Sequence, residues 1–231
     1  MRLLLYLILS TFSLTFSTSS AQEDKEKKSQ RTCRIVFPER PNSSTKMAYI
    51  FDGKKSQQVY LPSMNFSPVI SLPTGELTIL LTANPVADPE NPPLDAPMLK
   101  IPEGVRDFYI LITPDLKNEI LPLQMKLVNV TDGKLKPGGT LWFNTTGHQI
   151  VANLGKSKMS VAPKGQTVSK SPVSASGYYR AAFGYRVQAK GDIKKITEQQ
   201  WWHDVKCRHV GFMVNSGGKL PKIYFFRDFR L

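Results

Sequence analysis

The sequence predicts an all-β protein built from antiparallel β-sandwiches, one or two of them, and three observations carry that reading. Helical periodicity is nearly absent along the chain. Short runs rich in Val, Ile, Tyr, Phe and Thr recur instead, the residue types whose branched or flat side chains fit a pleated surface. Between them stand Gly, Pro, Asn and Asp, which supply the φ angles and local hydrogen bonds that turns need. With 231 residues, 41 % hydrophobic and 21 % charged, the chain can bury such a core without metals. That composition excludes collagen-like, low-complexity and disordered classes.

In chain order, residues 1–21 read as a secretory signal peptide. Arg2 is a one-residue positive region, Leu3 to Phe16 is an apolar stretch diluted by Ser and Thr, and Ser19 and Ala21 place small residues where a signal peptidase cuts. The stretch falls short of the ~20 apolar residues that span a bilayer, and no later window approaches it. A mature chain with no transmembrane segment, in a periplasmic or extracellular space, is therefore expected. Residues 22–31 (QEDKEKKSQR) form a charged spacer with no bulky apolar side chain, expected to be disordered.

Candidate strands follow at 34–37, 47–51, 57–60, 69–72, 76–81, 107–113, 122–130, 140–144, 149–154, 158–161, 165–168, 178–185, 208–215 and 221–226. Asp52-Gly53 between two alternating runs is a strong hairpin signal. Thr131-Asp132-Gly133, Pro137-Gly138-Gly139 and Ser216-Gly217-Gly218 mark further turns. Residues 83–102 hold six prolines and read as a loop or linker, because proline cannot donate to a strand ladder. Residues 193–202 are the one stretch read as a short helical turn. A boundary at 114–121 divides the chain into halves 32–113 and 120–231, each large enough for a small sandwich. One continuous sandwich with a long crossing loop is the other arrangement.

Residues 47–81 run as strand, Asp-Gly turn, strand, and then SLPTGELTILL, a Leu-Pro-x-Gly turn feeding an apolar strand. This resembles the small Ig-like or carrier-type β-sandwich repeats of exported bacterial proteins. The later run LWFNTTGHQIVANLG, with its Pro163–Gly165 turn, is similar to strands of exported uncharacterised β proteins. The resemblance implies Ig-like sandwiches and export, and it brings no catalytic residues.

Two cysteines in an exported chain imply one disulfide, Cys33–Cys207, tying the first strand to a late one. Such a bridge would stabilise by up to ~5 kcal/mol in the chain-entropy account. The alternatives are two thiols in a reducing compartment, or Cys207 as a metal ligand. For the latter, His148, Cys207, His209 and Met213 occur in an order that resembles the copper ligands of cupredoxins, where two His, a thiolate and a weak Met suit electron transfer. The spacing departs from that family, because a single residue separates Cys207 from His209. On one straight strand Cys207, His209 and Met213 would also spread over ~20 Å. Cupredoxin-like copper binding is therefore the alternative function, and no cofactor is expected otherwise.

An enzyme is not expected. The chain lacks a G-x-S-x-G elbow, an H-E-x-x-H helix, a Walker loop and a Rossmann fingerprint, and it has three histidines in all. The net charge is +13, and removing the signal peptide leaves 30 basic against 18 acidic residues, +12. Most lysines fall at turns of the second half, so an anionic envelope polymer or glycan is the expected partner, not a specific nucleic acid. Trp201, Trp202, Arg227 and Arg230 interleave rings with cations near the C-terminus and are candidates for stacking on sugars and holding acidic groups. Asn42, Asn65, Asn129 and Asn144 stand in N-x-S/T acceptor patterns, meaningful only in a eukaryotic secretory route.

Overall fold

The protein is described here by a computed structural model that covers residues 31–229, apart from 42, 43, 64, 132, 134, 188–190 and 216–219. Residues 1–21, read from the sequence as a signal peptide, lie outside the described residues, as do Asn42, Arg230 and all of the charged spacer except Arg31. Sixteen strands and no helix are found among the described residues. They are β1 (Arg31–Val36), β2 (Met47–Phe51), β3 (Ser56–Tyr60), β4 (Ile70–Leu72), β5 (Leu77–Thr82), β6 (Met98–Ile101), β7 (Asp107–Pro114) and β8 (Leu123–Asn129). The chain continues with β9 (Thr140–Asn144), β10 (Gln149–Leu154), β11 (Ser157–Val161), β12 (Gln166–Ser169), β13 (Gly177–Arg186), β14 (Lys194–His203), β15 (Arg208–Val214) and β16 (Lys222–Asp228).

Four sheets of four strands result: sheet A in the order β4-β1-β7-β8, sheet B β3-β2-β5-β6, sheet C β12-β9-β15-β16, and sheet D β11-β10-β13-β14. Adding eight to each strand of sheets A and B gives sheets C and D, with every pair in the same orientation. The fold is thus a duplication: β9–β16 repeats the pairing of β1–β8. β8 lies beyond the 114–121 segment and pairs with β7 from Phe108↔Asn129 to Pro114↔Leu123, so the first repeat runs to the end of β8.

The four sheets stack in the order B–A–C–D. Period-two alternation sends Cys33 and Ile35 of β1 into a core shared with Ile50, Ile79 and Leu81 of sheet B. Val36, Tyr109, Leu111 and Val128, on the opposite face of sheet A, meet Leu141, Phe143, Val210 and Phe212 of sheet C. The far face of sheet C gives Trp142 and Met213 to a third core with Ile150, Ala181 and Phe183 of sheet D. Sheets A and C are consequently covered on both sides. Of their central strands, β7 (DFYILITP) and β15 (RHVGFMV) carry near-continuous apolar runs, and β9 (TLWFN) is buried at every position.

Four sequence expectations need correction. The sandwiches are not purely antiparallel, since β1–β7 and β9–β15 pair in parallel. A parallel pair needs a crossover, here the passage of the chain through sheet B or sheet D before it returns. The segment 193–202 is not a helical turn but most of β14, and the proline-rich stretch 83–102 ends in β6. No disulfide joins Cys33 and Cys207. Alternation explains why: Arg34, not Cys33, faces the second repeat, so Cys33 turns away into the sheet A–B core. The Cys207 sulfur instead lies 3.6 Å from His209 Nε2.

A polar node fixes the two repeats against each other inside the A–C interface. Arg34 donates from Nη1 to Asp228 Oδ1 at 2.6 Å, Tyr109 donates from its hydroxyl to Asp228 Oδ2 at 2.5 Å, and Arg208 reaches Asp107 Oδ2 at 2.7 Å. At the start of β1, the fully buried Arg31 guanidinium donates to the carbonyls of Val105, Pro73, Gly75, Pro102 and Glu103. It pins two loops to the first strand.

Candidate ligand-binding face on sheet D

The duplication makes each repeat a reference for the other. In the first, the connection between β5 and β6 (83–97) folds over the outer face of sheet B, where Val86 and Ala96 pack on Phe51 and Leu80. The Val86 amide donates to Ser56 Oγ at 2.9 Å and anchors the cover. In the second repeat the same connection spans only 187–193. Among the described residues, which leave out 188–190 of that connection, the outer face of sheet D forms an open groove of ≈640 Å³.

The local sequence shapes that groove. Along β13 the outward positions are Tyr178, Arg180, Ala182, Gly184 and Arg186, opposite Tyr179, Ala181, Phe183 and Tyr185, which face the core. Small residues therefore line the floor: Ala182 and Gly184, with Val151 of β10 and Ser160 of β11 alongside. Gly184 is required where the β13–β14 register shifts, because a Cβ there would collide with the Ile193 side chain. Long side chains rim the floor: Lys158, Arg186 and Lys195 with Gln149, Asn153 and Glu198. Arg180 donates to Glu198 Oε1 from Nε at 2.7 Å, and Lys195 Nζ lies 3.1 Å from Glu198 Oε2. Those two cations hold the Glu198 carboxyl below the usual carboxylate range.

Charge separates the repeats as sharply as the loop does. Residues 31–130 contain ten basic and ten acidic residues, whereas 140–229 contain fourteen basic and four acidic. Nearly all of the excess positive charge therefore belongs to the repeat whose outer face is open.

Of the ring and cation candidates read from the sequence, Trp202 lies on this face. It is 44 % exposed, and its ring stands edge-on to that of Tyr178, 71 % exposed, at 5.0 Å between centroids. Trp201 points the other way and packs in the sheet C–D core against Phe183 and Phe225 at 5.1 and 5.0 Å. Arg227 is on β16 of sheet C, paired with His209 and not on the outer face of sheet D, with its guanidinium 5.6 Å from the centre of the Phe229 ring. Arg230 lies outside the described residues. Tyr178 and Arg180 escaped notice in the sequence, and Lys158 and Lys195 stood only among the lysines of the basic second half. Their signal was the alternation in 178–186, legible only once one face is known to be open.

The copper candidates divide into two places. Cys207 and His209 lie together beneath the linker at Gly138–Gly139, joined by His203, whose ring stacks on His209 at 4.1 Å. A His203 Nε2 contact of 2.8 Å to the Gly138 carbonyl holds the pair there. Met213 pairs with Asn144 while His209 pairs with Thr140, which separates them by ~13 Å along β15. His148 sits beside Tyr185 at 5.2 Å, beyond the Asn144 end of β9. Among the described residues no group of three or more His, Cys, Asp or Glu side chains is arranged to hold a metal ion. Burial, then Asp204, pushes the Cys207 thiol up to about 11, so the sulfur is a neutral thiol. Burial, then His203, pushes His209 down to about 4.

Of the acceptor-pattern asparagines, Asn144 is fully buried and donates to the carbonyls of His148 and Ala162 at 2.7 and 2.9 Å. Asn65 and Asn129 are exposed. No helix among the described residues is long and apolar enough to cross a membrane. No protein-family model matches the chain, and no curated protein matches it.

Proposed function

We propose that this protein is an exported, non-enzymatic binding module of Ig-like sandwiches that holds an anionic partner of the envelope or extracellular space on the outer face of sheet D. The observation that supports this most strongly is internal. One repeat carries no net charge and has its outer face roofed by a loop, while its duplicate carries the positive charge and leaves the same face open. A cationic concave surface raises the local concentration of anions and speeds their capture. Export rests on the N-terminal stretch and on the resemblance of residues 47–81 to exported modules.

Charge reversal tests the reading. Lys158→Glu with Lys195→Glu is expected to remove most retention on a polyanion resin at low salt. Lys54→Glu with Lys55→Glu, the same charge change on the first repeat, is expected to remove little. Equal losses from the two pairs would refute a dedicated face.

A further inference from the structure

We infer that the anion held on sheet D is an acidic polysaccharide, lying along β13 with a sugar ring on the Tyr178–Trp202 platform and its acid groups on Arg180, Lys195 and Lys158. The inference rests on the anionic-partner reading above and adds the chemistry of the polymer. Tyr178 and Trp202 are directly opposed on β13 and β14, turned out of the core and held edge to face, so an apolar ring surface is left open to water. The C–H face of a pyranose covers such a surface well, and the indole N–H and phenol hydroxyl remain free to bond its hydroxyls. From Tyr178 to Arg186 the outward residues of β13 extend ~27 Å, several times the width of one sugar ring, which suits a polymer better than a monosaccharide.

The rest of the face matches hydroxyls and sparse acids. Gln149, Asn153, Ser160 and Thr197 line the groove and can both donate and accept. The cations are few and one carboxylate, Glu198, stands among them, bridged by Arg180 and Lys195. A nucleic acid carries a phosphodiester on every residue, so whatever its register one of them would stand against the Glu198 carboxylate. A chain with a carboxylate or sulfate on some of its units can displace Glu198 from Arg180 at one place, where the guanidinium fork accepts a planar acid in a bidentate pair.

Affinity electrophoresis of the full chain in gels containing polygalacturonate, dextran sulfate, polyglutamate or neutral dextran, with oligo-dT as a competitor, tests this. Tyr178→Ala with Trp202→Ala, at exposed positions, is expected to weaken binding to the acidic polysaccharides about tenfold and to leave polyglutamate binding unchanged. Glu198→Gln is expected to strengthen polysaccharide binding by freeing both cations. Whether carboxylate or sulfate is preferred shows as the ratio between the first two gels. If polyglutamate is held as tightly as polygalacturonate, or the double aromatic variant binds like the parent, the sugar assignment falls while the anionic face stands. Stronger competition by oligo-dT than by the polysaccharides overturns it in favour of a single-stranded nucleic acid. If the Lys158→Glu, Lys195→Glu protein binds every polymer unchanged, both readings fall.

Discussion

Mild acid is expected to destabilise the protein through His209. Both His203 and His209 are fully buried, their rings stack, and neither Nδ1 has a hydrogen-bond partner. A proton on either ring would leave an imidazolium with no acceptor at that nitrogen. Burial lowers the pKa of His209 most, His203 lowers it further and Arg227 adds to them, against the Gly139 carbonyl and Asp204, so that it falls to about 4. His203 is lowered in the same direction, also by burial first. An unfolded histidine titrates near 6.5. Between those values the unfolded chain binds a proton that the folded chain refuses, so stability is complete above about pH 6.5 and is lost as pH falls toward 4. A separation of ~2.5 units at ~1.36 kcal/mol each corresponds to ~3 kcal/mol. The assay is a series of urea unfolding curves from pH 7 to pH 4 on the parent and on His209→Phe, which retains a flat ring against Phe225. The parent is expected to lose ~3 kcal/mol over that range, and the variant to lose much less of it above pH 4.5, before most carboxylates titrate. Identical slopes for the two proteins, or a parent whose stability does not change, would refute the reasoning.

Other substitutions read different parts of the stack. Asp228→Ala strips the acceptor from Arg34 and Tyr109 inside the A–C interface and is expected to cost about 3–5 kcal/mol in urea unfolding. Gly211→Ala would drive a Cβ into the Trp142 ring, for a cost of about 1–3 kcal/mol and a shift in tryptophan emission. Asn144→Ala leaves the carbonyls of His148 and Ala162 without their donor, for about 1–3 kcal/mol. Because that amide is buried, mass spectrometry of protein secreted from a eukaryotic host is expected to find no glycan on Asn144. Adding a reductant is expected not to move the unfolding midpoint, and Cys207 is expected to react with thiol reagents only after urea unfolds the chain.

Most strands were legible because local chemistry specifies them. β2, β9 and β10 begin and end where alternation meets a turn, and 47–51, 140–144 and 149–154 match their bounds. β6 was hidden because Pro97 and Pro102 flank it so closely that its four residues read as part of a loop. β14 was hidden because an edge strand facing water, KKITEQQWWH, has too few buried positions to show a period of two. Pairing partners were not legible, since the partners of β1 and β9 in parallel come from across a crossover and no residue type encodes which strand returns. The duplication left few marks: Gly53-Lys54 and Gly155-Lys156 stand in equivalent hairpins, with φ of 88° and 57° at the glycines, and Leu121-Pro122 and Leu220-Pro221 precede equivalent strands. Between those points each repeat fills its core with different side chains. The disulfide expectation failed on strand parity, which counting cysteines ignores. The groove needed the roofed sheet B for comparison.

The double coverage of sheets A and C has a consequence for how the chain is made. During synthesis β1–β8 can pair completely while β9–β16 is still missing, and the side of sheet A that carries Val36, Tyr109, Leu111 and Val128 then faces water. Such a half-finished surface is prone to self-association. In its midst stands Arg34, whose carboxylate partner, Asp228, arrives only with the last strand. Until then the guanidinium, held by the Ser67 carbonyl but with its charge uncompensated, acts as a gatekeeper, one charge that discourages two nascent faces from closing on each other. When β16 docks, the same charge becomes the lock that confirms the correct partner has come.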